Sequence, residues 1–228
     1  MTSHLKRIAS PRTWRIDRKQ FIFIVKPSPG AHAKEMGLPL GVLMRDTLKL
    51  GAIMGEVRKI LNNKNILVDG RRKKDHRFNV GLFDVLTISD LNKHYRMFID
   101  ENGFLALKEI NAGESKVKVG KVIGKKILPK GKIQYNLYDG KNFLSSEKIK
   151  VGDSVVLSLP KLEVTKVLPL KAGMTVFLTK GKHCGEVGIL KQIKGDQAVY
   201  VTDGKEVETA KAYLFVVGEK EPAIQLKK

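Results

Sequence analysis

The sequence predicts a multidomain α+β protein, and three features carry that reading. Helical spacing is confined to one stretch, with apolar residues at Leu40, Leu43 and Met44 and again at Val57, Ile60 and Leu61. From Phe104 onward, apolar and polar residues alternate with a period of two, punctuated by turn signals. The 228 residues, 42% of them hydrophobic, are enough for real cores, and the pattern changes character often enough to favour several small domains.

Residues 1–41 scatter Lys6, Arg7, Arg12, Arg15, Arg18 and Lys19 around Pro11 and Trp14. Proline and interleaved charge argue against one long helix. The segment reads as a basic N-terminal arm with a short apolar anchor at residues 21–25, closed by Pro27-Ser28-Pro29-Gly30. A lone tryptophan is more often packed on its own domain than stacked on a base, and packing is the preferred reading of Trp14.

Residues 42–105 form a compact α+β unit: two short helices around Gly51 and Gly55, a stop at Asn62-Asn63, a strand at Ile66-Leu67-Val68, and a second strand at residues 83–88. Between the strands lies Asp69-Gly70-Arg71-Arg72-Lys73-Lys74-Asp75-His76-Arg77. Asp-Gly supplies the positive φ of a tight turn, so this is a basic hairpin held on a frame. Residues 106–170 give a central β domain, with Val117/Val119 and Ile133/Tyr135/Leu137 alternating between turns at Pro129-Lys130-Gly131, Asp139-Gly140 and Gly152-Asp153. Residues 171–218 give a second small barrel, with Met174, Val176 and Leu178 alternating and glycines at 181, 185 and 188. Residues 219–228 read as a loose tail.

Charge narrows the function. Lys and Arg number 43 against 23 Asp and Glu, a net +20. The excess is +6, +4, +7 and +3 over residues 1–41, 42–105, 106–170 and 171–228, so no single tail carries it. A surface positive along its whole length is self-repelling unless a polyanion is its normal environment. The single cysteine, Cys184, allows no internal disulfide and fits a reducing compartment. No apolar run approaches the ~18 residues of a membrane span, and no amphipathic anchoring helix is evident. The expectation is a soluble, intracellular protein with no membrane partner.

Two segments resemble RNA-binding modules. Leu178-Thr179-Lys180-Gly181-Lys182-His183-Cys184-Gly185-Glu186-Val187-Gly188-Ile189-Leu190 resembles the KOW motif, whose glycine-bearing loop joins strands of an SH3-like barrel. Residues 56–88 resemble the alpha-L module, with a helix, a Val-Asp-Gly hairpin and a terminal strand. Taken with His4-Leu5-Lys6-Arg7-Ile8-Ala9-Ser10-Pro11, Leu38-Pro39-Leu40, Tyr138-Asp139-Gly140 and Val151-Gly152-Asp153-Ser154, the chain is similar to the S-four-e family of ribosomal proteins from residue 4 to 218. The resemblance implies a structural, non-enzymatic constituent of the small ribosomal subunit, archaeal in source, ribosome-associated in the cytoplasm. Its partners would be small-subunit ribosomal RNA and neighbouring small-subunit proteins, with no small-molecule substrate.

Within that reading, Arg71, Arg72, Lys73, Lys74 and Arg77 are candidates to neutralise phosphates, and arginine adds a bidentate fork. A-form RNA presents backbone and 2′-hydroxyls rather than a readable major groove, which a shape-matched basic surface suits. Arg45 and Lys49 offer a second rail, against an equal expectation of ordinary solvated helix charge. Arg58 and Lys59 flank the same groove on the family resemblance. Lys6, Arg7 and Arg12 are candidates to thread between RNA helices. Lys180, Lys182 and His183 are the candidates in the last barrel, where the glycines permit tight turns and close backbone approach.

Enzymatic signatures are weak. Gly120-Lys121-Val122-Ile123-Gly124-Lys125-Lys126 mimics a phosphate loop, but it has one spacer residue too few and no Ser or Thr after the lysine, so it reads as a basic turn between strands. His183-Cys184 without further ligands builds no zinc site, and no cofactor or metal is expected. The rival readings are a KOW-bearing transcription elongation factor and an RNA-modifying enzyme that uses an alpha-L module for targeting.

Overall fold

The computed structural model describes residues 4–219 and 221–226. The chain folds as two compact units, one of residues 1–98 with 104–115 and the other of residues 99–103 with 116–228. It is mostly β, with few helices. Among the described residues, no helix is long and apolar enough to cross a membrane.

In the first unit the N-terminal segment is tied down along its length. Strand β1 (Leu5–Lys6) pairs antiparallel with β2 (Phe23–Ile24). The Arg18 guanidinium donates to the carbonyls of Ser10 and Pro11 at 2.8 and 2.7 Å. Trp14 is 1% exposed and its indole N–H donates to the Gly37 carbonyl at 2.9 Å, so the packed reading holds. The expected apolar anchor does not. Phe21, Ile22 and Phe23 are 59, 72 and 54% exposed, and only Ile24 is buried. Neighbouring strand residues face opposite sides, so a two-residue β2 can bury one side chain and must turn the other outward.

Strand β3 (Gly37–Pro39) leads into α1 (Leu40–Val42), which continues as a wider π-type turn over Leu43–Thr47. Leu40, Leu43 and Met44 are all buried, as their spacing predicts. Helix α2 (Met54–Asn63) buries Val57 and Leu61. Its start is held by Glu56, whose carboxylate accepts the backbone N–H of Ala52 at 2.8 Å, where an acid also favours the helix dipole.

Strands β4 (Ile66–Val68) and β5 (Arg71–Arg72) form the basic hairpin, with Val68 opposite Arg71. Asp69 and Gly70 take φ of 51° and 73°, the left-handed pair that a two-residue turn demands. Strand β6 (Asn79–Gly81) pairs with β3. Strands β7 (Val85–Ile88), β8 (Lys93–Ile99) and β9 (Leu105–Ile110) complete a five-stranded sheet in the order β5-β4-β7-β8-β9. The sequence places the start of β7 at residue 83; the structure starts it two residues later because Phe83 turns left-handed, φ 64°, to donate to the Met97 carbonyl.

The second unit holds two antiparallel five-stranded sheets. The first joins β10 (Val117–Ile127), β11 (Ile133–Leu137), β12 (Asn142–Ser145), β13 (Ser154–Ser158) and β14 (Glu163–Leu168) in the order β12-β11-β10-β13-β14. Strand β10 pairs β13 with its first half and β11 with its second, across an irregularity between Val122 and Gly124. Residues 120–126 are therefore the middle of one long strand, not the turn expected from their glycines. Val122, Tyr135, Leu137, Phe143, Ile149, Val155 and Leu157 form the core, the Tyr135 and Phe143 rings stacking at 5.4 Å.

The second sheet joins β15 (Thr175–Leu178), β16 (Val187–Lys194), β17 (Gln197–Thr202), β18 (Lys205–Ala210) and β19 (Leu214–Gly218) in the order β18-β17-β16-β15-β19. Its outermost strands, β18 and β19, are joined by only Lys211–Tyr213. Four Cα steps reach at most ~15 Å, whereas the edges of a flat five-stranded sheet stand ~19 Å apart. The sheet must curl towards closure, in line with the barrel expectation. The C-terminal segment differs from the expected loose tail: Ala223 N–H donates to the Val217 carbonyl at 2.8 Å, and Ile224 and Leu226 are buried. Two apolar side chains spaced by two can dock where isolated ones could not. Residues 220, 227 and 228 lie outside the described residues.

Candidate nucleic-acid interface

The hairpin cations share one frame but not one state. Arg71 and Lys74 are exposed and meet no carboxylate among the described residues. Arg72 donates to the Asn62 carbonyl at the C-terminal end of α2, 2.8 Å, where a cation also opposes the helix dipole. Lys73 lies over the Phe78 ring at 4.4 Å, and Arg77 donates through Nε to the Lys26 carbonyl at 3.1 Å. Three of the five are thus oriented by the protein while remaining charged. On an edge strand such charge also blocks pairing with another sheet.

The remaining candidates of this unit fall around two depressions. One, of about 300 Å³, brings together Arg45, Arg58 and Arg77 with Lys26, His76 and Phe23. His76 sits 3.3 Å from the Arg58 guanidinium through Nε2, and burial together with Arg58 lowers its pKa, which favours a neutral ring that accepts from arginine. Lys59, one residue on from Arg58, is exposed. The other depression, of about 870 Å³, brings Arg45 and Lys49 together with Arg15. Arg45 chelates the Asp46 carboxylate at 2.7 and 3.0 Å, which holds its pKa above the usual arginine range and cancels much of its charge. Lys49 is exposed on a left-handed residue, φ 53°.

Arg7 departs from expectation. It is 2% exposed, its Nε donates to the Asp17 carbonyl at 2.5 Å, and its guanidinium stands 3.6 Å from Asp46. It fastens the N-terminal segment from inside, on the wall of the larger depression. Lys6 and Arg12 from the same stretch are exposed. Arg15, Lys26, His76 and Phe23 were not singled out from the sequence. Arg15 and His76 stand inside the basic runs, the signal that would have found them, whereas nothing marks Lys26 or Phe23 without the fold.

In the second unit, Lys180 and Lys182 are exposed on the turn between β15 and β16. Gly181 and Gly185 there have φ of 97° and 89°. A Cβ on Gly185 would strike the Asp100 carbonyl, and one on Gly188 the Thr202 hydroxyl. These glycines serve tight turning and close packing against the protein's own backbone and side chains. His183 is half-buried: Nδ1 lies 2.7 Å from the Glu186 carboxylate, which also accepts the Tyr200 hydroxyl at 3.1 Å. The Cys184 thiol donates to the Thr179 carbonyl, and burial raises its pKa, so it carries no anionic charge into the loop.

Comparison with known proteins converges on one family. The family model described as Ribosomal family S4e matches residues 91–164, and that of the RS4NT domain matches residues 1–35. The small ribosomal subunit protein eS4 of Methanocella arvoryzae is 40% identical over 229 residues, 98% of this chain and 97% of the relative. That of Nanoarchaeum equitans is 46% identical over 191 residues, 83% of this chain and 82% of the relative. The crystal structure of the 30S ribosomal protein S4e from Thermoplasma acidophilum superposes with a TM-score of 0.71 at 27% identity, covering 84% of this chain and 98% of that one. Identity of this extent, running nearly end to end and matched by the fold, means that the chain belongs to the S4e family of ribosomal proteins.

Proposed function

We propose that the chain is a structural constituent of the small ribosomal subunit that binds ribosomal RNA and holds its folded form, in the cytoplasm of an archaeon, beside neighbouring small-subunit proteins. It acts by binding and not by catalysis. The division of labour follows the sequence: an N-terminal segment of residues 1–41, an alpha-L module over 42–105, a central β domain over 106–170, a KOW barrel over 171–218 and a C-terminal segment over 219–228.

The observation that carries the reading is the β4–β5 hairpin, whose exposed Arg71 and Lys74 have no acidic partner among the described residues while Arg72, Lys73 and Arg77 are pre-oriented beside them. Each cation that displaces condensed counterions from RNA adds a salt-dependent gain. Rigidity spares the entropy of ordering long side chains at the moment of binding. Lys180 and Lys182 give the second unit its own contact, with His183 aimed by Glu186.

Sedimentation of native lysate on a sucrose gradient tests this. The chain should travel with small-subunit particles in magnesium-rich buffer. Travel with RNA polymerase, or free at the top of the gradient, would overturn the reading.

A further inference from the structure

We propose that the depression beside β2 seats a single unpaired RNA nucleotide, its base stacked on Phe23 and its phosphate held between Arg58 and Arg77. This rests on the RNA-binding reading and goes beyond it, because an extruded base is a different ligand from the phosphate backbone of a duplex.

The starting point is a run of exposed apolar side chains. Phe21, Ile22 and Phe23 stand in water one after another, with Ile8 69% exposed as well. A single exposed apolar residue needs no explanation, whereas three in succession along the chain, one of them beside a basic depression, call for a partner. Phe23 is placed differently from the other three. It faces Lys6 across the β1–β2 ladder, the His4 ring lies 5.5 Å from it, and it lines the wall of the depression shared by Arg58, Arg77 and Lys26.

The chemistry of that wall selects the occupant. Met54 and Phe23 supply apolar surface, Lys26, Arg58 and Arg77 supply charge beside the Asp46-paired Arg45, and no acidic side chain is among the described residues that line it. An apolar segment of a partner protein would leave the arginines facing nothing of opposite sign. A phosphate alone would leave Phe23 in water. A ligand with a flat π-face and an attached anion answers both, which is why aromatic side chains among cations recur where single-stranded nucleic acid binds. About 300 Å³ is the small end of ligand pockets, room for one nucleotide rather than for a duplex.

Both arginines are already aimed. Arg58 spends one N–H on His76, and Arg77 spends its Nε on the Lys26 carbonyl, which fixes each guanidinium and leaves its other donors available.

The test uses the full chain and two RNA hairpins, one fully paired and one with a single-nucleotide bulge of 2-aminopurine. Wild type should bind the bulged hairpin about tenfold more tightly and quench its fluorescence, the size expected for one base–aromatic stack. Phe23→Ala should bring the preference close to unity and abolish the quench, leaving affinity for the paired hairpin and its salt dependence unchanged; Phe23→Tyr should retain both. Emission of the single buried Trp14 reports that each variant is folded. Preference and quench that survive in Phe23→Ala, or full retention in Phe23→Leu, would overturn the stacking pocket. Equal, unquenched, salt-dependent binding of both hairpins by wild type would overturn the pocket and leave the RNA reading standing. Binding to neither would overturn both.

Discussion

The ammonium of Lys121, in the middle of β10, donates to the Leu214 carbonyl at 2.7 Å and to the Ala212 carbonyl at 2.8 Å. One side chain of the central sheet thereby closes off the short connection between β18 and β19, the place where the curled sheet brings its edges together. Burial, with Lys211 nearby, pushes its pKa down to about 8. In the unfolded chain the same amine titrates near 10.5. Between these values the unfolded state holds a proton that the folded state has released, so stability rises with pH across that window. The charged form is thus a burden at neutral pH. Wild type should gain on the order of 3 kcal/mol relative to Lys121→Met between pH 8 and 10.5, read from urea denaturation at each pH. Parallel pH profiles for the two proteins would show that this amine is not desolvated.

Two glycines of the second unit share a backbone conformation and differ in surroundings. Gly185, φ 89°, has the Asp100 backbone where a Cβ would go; Gly195, φ 58°, has open space. Gly195→Ala should cost ~1–2 kcal/mol, the left-handed penalty alone. Gly185→Ala adds overpacking against backbone that cannot swing aside and should cost about 1–3 kcal/mol more. Thermal unfolding of the two variants separates the effects. Equal losses would mean that residues 99–103 do not hold their place against the loop.

What could be read in advance was local. The Asp69-Gly70 turn, the face of α2 and the alternation of β11 each depend on residues within a few positions, so propensity and period reveal them. What could not be read depends on partners far along the chain. Lys118 looks like an ordinary strand lysine, and Lys121 like one cation of a basic turn, until Asp139, Ala212 and Leu214 come to meet them. Arg7 looks like one more cation of a basic arm until Asp17 and Asp46 surround it. Hydrophobicity misled in the opposite sense at residues 21–23, where Phe23 is turned outward by a strand only two residues long and Phe21 and Ile22 precede it outside any strand. At the candidate site, the hairpin was visible as a run of charge, but the meeting of Phe23 with Arg58, His76 and Arg77 needed the fold.

Lys118 and Asp139 form an ion pair at 2.7 Å, with side chains 1% and 4% exposed, and Lys141 approaches the same carboxylate at 3.4 Å. Removing the nearer and better buried cation leaves the Asp139 carboxylate less fully compensated, which costs up to ~3–5 kcal/mol. Lys118→Met should therefore lower stability by about that much at neutral pH, measured by chemical denaturation, while Lys141→Met should cost under ~1 kcal/mol because Lys118 still neutralises the acid. The reverse order of the two losses would show Lys141 to be the principal partner.

Arg7 and Arg71 make opposite predictions from the same residue type. Arg7 is enclosed, so Arg7→Met should destabilise the fold by about 1–3 kcal/mol by leaving the Asp17 carbonyl without its donor, while Arg45 still holds Asp46. The salt dependence of RNA binding should stay as it was. Arg71→Ala and Lys74→Ala remove exposed charge that meets no carboxylate among the described residues, so each should leave stability within ~0.5 kcal/mol. If each meets one phosphate, each should reduce the slope of log K against log salt by about 0.7–0.9. Paired measurements of denaturation midpoint and salt slope on the three variants decide the matter. A reduced slope in Arg7→Met with unchanged stability would place that guanidinium on the RNA after all; an undiminished slope in the double variant Arg71→Ala/Lys74→Ala would remove the hairpin from the interface.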